Sequence, residues 1–217
     1  MLKLLPYLPL NFFVILCGGL LIGIFVGVVI ALPRLYHTPV LRHLSYLYLS
    51  FVRGTPVLVQ LFIIYFGLPQ ILLTTGIDMR RTNPLFFVVI AYGMNWGATI
   101  SEIIRGSVNA VSRQQIEAAY SIGMDSFQVL RRVVLPQAIV VAAPNFFNLV
   151  FSALKNTSLA FAIGVMEMVS RGRGMGLVSN HAFEAYLALG IIYYAVYLAL
   201  MRLFSLAEKR LSRYRLA

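Results

Sequence analysis

Charge placement most limits what this chain can become. Its Lys, Arg, Asp and Glu residues fall in short clusters, and five stretches between them carry no charge: residues 4–33, 54–77, 82–101, 133–154 and 185–201. A helix rises ~1.5 Å per residue, so about 20 apolar residues cross a hydrocarbon core of ~30 Å. Four of the stretches reach that length. The fifth is shorter, but aromatic and basic anchors flank it. Only 12% of the 217 residues are charged, roughly half the share found in a soluble domain. The expectation is an all-α integral membrane protein, with one domain over residues 1–217 and five transmembrane helices.

The net charge of +11 is what cytoplasmic loops beside an anionic leaflet require. No basic face on a soluble scaffold exists to present it to nucleic acid, so no nucleic-acid partner is expected. Cys17 is the single cysteine and lies in the first apolar stretch, which excludes a disulfide framework. His37, His43 and His181 are scattered, and no His-Glu-x-x-His, paired Cys or nucleophile elbow occurs. Neither a metal site nor a catalytic site is expected. The first apolar stretch exceeds the 7–15 residue core of a cleaved signal, and is read as a retained helix.

Five spans place the termini on opposite sides, and the loop count of Lys and Arg orients them. One set of segments holds Arg34, Arg42, Arg53, Arg105, Arg113, Arg131, Arg132, Arg202, Lys209, Arg210, Arg213 and Arg215. The opposite set holds Lys3, Arg80, Arg81, Lys155, Arg171 and Arg173. The richer set is assigned to the cytoplasm, which puts the N-terminus outside and the C-terminus inside. The spans are expected at residues 11–32, 55–74, 85–104, 135–154 and 185–201. Residues 41–52 form an aromatic-rich segment at the inner interface, and Gly67 and Pro69 are expected to bend the outer half of the second span. Residues 156–166 are too short to cross and read as re-entrant or interfacial. Gly172, Gly174 and Gly176 are expected to make a flexible outer loop.

The longest cytoplasmic loop carries the strongest signal. Residues 113–122 contain no helix breaker, and Gly123 permits the left-handed turn that ends a helix. Asp125, three residues before Gln128, has the spacing of an N-cap for a second helix. Pro136 then opens the next span, where its missing N–H costs little. The result is a helix–turn–helix along the membrane surface, with small residues at Ala118 and Ala119 that would admit another protein's surface.

This loop resembles the EAA loop of ABC-importer permeases, in which Glu-Ala-Ala is followed after three residues by Gly and later by Leu-Pro. Glu117, Ala118, Ala119, Gly123, Leu135 and Pro136 fall on that pattern. Val133 stands where the family has Ile, a mild change. Arg53-Gly54-Thr55-Pro56 with Gln60 and Leu61, and Lys155-Asn156-Thr157-Ser158-Leu159-Ala160, resemble the polar amino-acid subfamily (histidine, glutamine and cystine types). The resemblance implies a type I ABC-importer-like fold in a bacterial plasma membrane. It also implies that the coupling residues, within about 113–136, dock on a cytoplasmic ATPase.

Two such ATPases, a second permease copy or paralogue, and an extracytoplasmic solute-binding protein are the implied partners. The chain has no Gly-x-x-x-x-Gly-Lys-Ser/Thr loop of its own. It is therefore expected to bind no cofactor, with ATP and Mg held by the partner subunit.

Polar groups at membrane depth are costly to leave unpaired, so their positions inform. Tyr92, Asn95, Thr99 and Glu102 share one helix face by spacing, as do Asn145, Asn148, Ser152 and Asn156. Asn95, Asn156, Tyr92, Thr99, Asn148 and Ser152 are the expected lining of a cavity for a zwitterion. Glu102 is expected to pair with Arg105 at the interface. Packing is the simpler role for Tyr92 with Trp96, and for the Gly19, Gly23 and Gly27 stripe. Many relatives carry Asp at the position of Asn156. Its absence turns the expectation from cationic amino acids to a neutral or acidic one, cystine or glutamine first. Methionine or another small solute, or a membrane scaffold without transport, are the alternatives.

Overall fold

A computed structural model describes residues 4–212, so Lys3, Arg213 and Arg215 of the charge count lie outside the described residues. All elements among the described residues are helical. They are α1 (Leu5–Leu35), α2 (Pro39–Gly54), α3 (Val57–Leu73), α4 (Pro84–Asn109), α5 (Arg113–Ser121), α6 (Ser126–Ile163), α7 (Met168–Ser179) and α8 (Ala182–Ser212). Four of these are long and apolar enough to cross a membrane, and a fifth span arises if α2 and α3 are taken together across their 111° bend.

The bundle is organised on α4, whose central window is 56% buried against 11% for α8. Its closest neighbour is α1, because both helices present glycine at the seam. A Cβ built on Gly19 would sit 2.5 Å from the Trp96 ring, and one on Gly27 2.6 Å from Ile100. Reciprocally, a Cβ on Gly93 would meet Ile22 at 2.4 Å and one on Gly97 would meet Val26 at 2.7 Å. The expected packing stripe on α1 is thus matched by Gly93 and Gly97 on α4. Removing side chains from both sides lets the backbones approach and brings dispersion contacts that lipid would not supply.

Helix α2 starts at Pro39, the first-turn position proline tolerates. It buries Ser45, Leu49 and Val52 on one face. The bend into α3 leaves carbonyls at the end of α2 without helical partners. Gln60 covers them: its Nε2 donates to the Val52 carbonyl (2.7 Å) and to the Thr55 carbonyl (3.0 Å). The expected distortion near Gly67 and Pro69 takes the form of a widened π-turn at Ile63–Gly67.

The structure corrects two sequence expectations. The second helix of the surface loop and the span after it are not separate, because α6 runs unbroken from Ser126 to Ile163. Pro136 is absorbed by a π-turn at Leu130–Val134 just before it. A wider turn relieves the ring clash that would otherwise break a helix. Residues 157–163, expected as re-entrant or interfacial, continue α6 as its 3-10 end, with Thr157 wholly buried. The three-glycine stretch is not a flexible loop but helix α7. Gly172 and Gly176 lie against Leu189 and Ala182 of α8, where a Cβ would fall within 2.6 and 2.9 Å. Low helix propensity suggested a loop, but tertiary packing overrides it.

Candidate functional site

The two polar stripes meet. Asn95, Thr99 and Glu102 of α4 and Asn145, Asn148, Ser152 and Asn156 of α6 line one cavity of about 550 Å³, with Arg53 at the end of α2 and Trp96. That volume is in the range of small-molecule sites. Gln60 positions Asn95, whose Nδ2 donates to the Gln60 Oε1 at 3.0 Å. Tyr92 stands behind the lining rather than in it. It is wholly buried, its hydroxyl donates to the Asn156 carbonyl (2.8 Å), and its ring lies against Trp96. Trp96 is 1% exposed, and its indole N–H lacks a partner among the described residues.

Charge in the cavity is unequal. The Glu102 carboxylate pairs with Arg105 at 3.0 Å, as expected, but also with Arg34 of α1 at 2.7 Å. One acid is thus offset by two guanidiniums, and Arg53 adds a cation to the lining. Four acceptor-donor amides, two hydroxyls and an arginine form a surface suited to a carboxylate and a polar body.

The surface loop folds as a compact unit. Gly123 adopts φ +85°, and Asp125 closes a capping box, its side chain accepting from the Gln128 N–H at 2.8 Å. Ala119 is 5% exposed and turns inward on Val111, Val129, Val134 and Ala138. Its smallness serves internal packing, which leaves Glu117 and Ala118 as the exposed members of the Glu-Ala-Ala triplet. Leu135 is 42% exposed, and Pro136 lines a groove with Ala118 and Ile122. Ile122 and Phe127 are 75% and 68% exposed, an apolar rim that a surface helix has no internal reason to keep. A hydrogen bond of 2.7 Å from Gln137 to Gln115 ties α5 to α6.

Residues 19–213 match the family described as the binding-protein-dependent transport system inner membrane component. The chain belongs to that family. It is 47% identical over 210 residues to the L-cystine transport system permease protein TcyL of Bacillus subtilis (strain 168), covering 97% of this chain and 87% of that one. It is 41% identical over 196 residues to a probable amino-acid ABC transporter permease protein, PatM, of Vibrio harveyi, covering 90% and 86%. Among solved structures it superposes on an amino acid ABC transporter with histidines, with a TM-score of 0.80 and 30% identity over 96% of this chain and 97% of that one. The MetNI methionine ABC transporter shares the fold at 18% identity and a TM-score of 0.63, over 89% of each chain.

The chain is therefore a multi-pass inner-membrane permease subunit of type I importer fold, and ATP hydrolysis in such importers lies in a separate subunit. Sequence reasoning overlooked several residues of this permease. Arg53 enters the sequence reading only through a motif and the charge count, and Arg34 only through the charge count. A second polar cluster was missed altogether. Asn11, Thr157 and Glu167, each at most 1% exposed, meet Tyr193. Glu167 caps α7 by accepting from the Val169 and Ser170 N–H groups at 2.8 and 2.7 Å. Asn11 reaches Glu167 at 3.1 Å and accepts from the Met168 N–H at 3.1 Å. The available signal was an acid placed directly before a helix start.

Proposed function

We propose that this permease, a single domain over residues 1–217, imports a polar amino acid, with cystine the leading solute and glutamine the next. The observation that carries the reading is that α6 bears both working parts. Its start packs against the coupling helix α5, and its middle supplies Asn145, Asn148, Ser152 and Asn156 to the cavity. Whatever moves the surface loop moves the cavity wall. Glu117, Ala118, Gly123, Leu135 and Pro136 form the face and frame that dock on the ATPase, with Ala119 holding that frame to α6.

The permease relatives named for cystine and amino acids support the solute class. So does the cavity, where Arg53 offers a partner for a solute carboxylate and the one acid, Glu102, is already paired twice. A cationic side chain finds no free carboxylate there. Asn95, Asn156, Thr99, Asn148 and Ser152 supply hydrogen bonds, and Tyr92 supports Asn156 from behind.

Thr99, Asn145, Asn148 and Ser152 are exposed at membrane depth in the single chain. Polar groups do not face lipid, so a second permease copy or paralogue covers this side. Two ATPases carrying ATP and Mg, together with an extracytoplasmic solute-binding protein, complete the importer. The orientation follows the charge count, with the N-terminus outside and both α5 and the C-terminus in the cytoplasm.

Uptake of labelled cystine into vesicles holding the complete importer tests this. Competition by cystine and glutamine, and weak competition by arginine, is expected; strong inhibition by arginine alone would refute the solute assignment. Glu117→Lys is expected to abolish uptake and coupled ATP hydrolysis while the chain still inserts. A thiol placed by Ser121→Cys should resist membrane-impermeant labelling from outside intact cells.

A further inference from the structure

A second cavity, of about 530 Å³, opens where α1 turns into α2. Arg34, His37, Arg42, Tyr46, Arg105 and Arg113 line it. Four guanidiniums converge here, and the one acid in contact with them is Glu102, already shared by Arg34 and Arg105. Among the described residues neither Arg42 nor Arg113 has a carboxylate partner. The Arg34 side chain is 4% exposed, yet its Nε–H has no hydrogen-bond partner among the described residues, and neither does that of Arg105. The guanidiniums of Arg34 and Arg42 lie 4.9 and 5.5 Å from the centre of the Tyr46 ring, which holds them in place.

Buried guanidinium N–H groups left unpaired are costly. An anion with several acceptor oxygens relieves that cost, and phosphate matches the planar fork best. Position favours a lipid as its source. Arg34 sits in the last turn of the α1 span, at the level where hydrocarbon gives way to headgroups. The other flank of the same turn is an apolar cleft of about 530 Å³, lined by Val29, Leu32, Pro33, Leu41 and Leu44. A soluble anion has no use for such a cleft, whereas an acyl chain does. Basic pockets between helices at the cytoplasmic side are the usual seats of anionic headgroups.

We propose that this elbow binds the phosphate of an anionic phospholipid, with an acyl chain in the neighbouring cleft. Its assignment to the inner leaflet rests on the orientation given above. Because Arg34 and Arg105 both hold Glu102, a bound headgroup braces a residue of the solute cavity, and uptake depends on the anionic lipid fraction.

Native mass spectrometry of the full chain in detergent tests the binding, with phosphatidylglycerol, phosphatidylcholine and inorganic phosphate as separate probes. Phosphatidylglycerol should be retained, phosphatidylcholine should not, and millimolar phosphate should fail to displace the lipid. Arg42→Gln and Arg113→Gln should each weaken retention about fivefold, and the pair about 25-fold. Lysine at both positions should restore most of it. Lipid selectivity of the unmodified chain is itself a readout that needs no variant to fold. Equal retention of the two lipids would overturn the proposal, as would an unaffected double variant. Full displacement by phosphate would make this a site for a free anion. Unchanged lipid retention with weaker copurification of an ATPase would make it a protein interface, and either result ends the lipid assignment. The assay counts lipid on the chain without transport, so its failure leaves the solute reading intact, whereas outside labelling at Ser121→Cys would remove the leaflet assignment together with the cytoplasmic docking of α5.

Discussion

Two polar clusters sit in one helix bundle, and they are built on opposite rules. Around Asn11, Thr157, Glu167 and Tyr193 the first three are wholly buried and the tyrosine half-buried, and each has a partner within the chain. Around Asn95, Asn148 and Arg53 the groups face a cavity, and the Trp96 N–H has no partner among the described residues. The closed cluster joins α1, the end of α6, the start of α7 and α8, so its bonds hold four elements together. The open cluster spans only α4, α6 and the end of α2, and leaves its hydrogen-bonding capacity for something else. A buried polar group alone does not mark a binding site; the number of its partners decides.

Breaking each cluster separately tests that distinction. The largest effect is expected for Asn11→Leu, which removes one donor each from Glu167, Thr157 and the Tyr193 hydroxyl and leaves the Met168 N–H without its acceptor in the core. A loss of about 3 kcal/mol follows, read as a lower melting temperature in detergent. Next comes Arg53→Gln, which removes the cation from the open cavity. Uptake should fall roughly 30-fold, as for loss of a hydrogen bond to a charged group, with the melting temperature unchanged. Asn148→Ala should raise the half-saturating solute concentration about fivefold, again with normal stability. Equal loss of stability from Arg53→Gln and Asn11→Leu would collapse the contrast. The smallest effect is expected for Gln115→Ala, which cuts the tie from α5 to α6. Coupled ATP hydrolysis should fall about twofold while solute affinity stays constant, since the packing of Ala119 remains.

The open cluster was legible in the sequence because its residues repeat every three or four positions on two helices, and a stripe survives any error in helix ends. The surface loop was legible because Gly123 and Asp125 act locally, through one left-handed residue and one cap. The closed cluster was not, because Asn11 and Glu167 are 156 positions apart and neither belongs to a stripe. The continuity of α6 was missed because Pro136 reads as a start, and only the compensating π-turn at Leu130–Val134 reveals otherwise. Helix α7 was missed because glycine disfavours a helix in isolation, whereas here its missing side chain makes room for Leu189.

The unbroken course of α6 has a mechanical consequence. At ~1.5 Å per residue its 38 residues extend roughly 57 Å, nearly twice the hydrocarbon thickness. A rod of that length held near its middle transmits angle better than displacement. A tilt of about 10° carries each tip about 5 Å in opposite directions. On the proposed docking, closure of an ATPase on one tip would swing the Thr157 end the other way, and the locked cluster at Asn11 and Glu167 would oblige α1, α7 and α8 to swing with it.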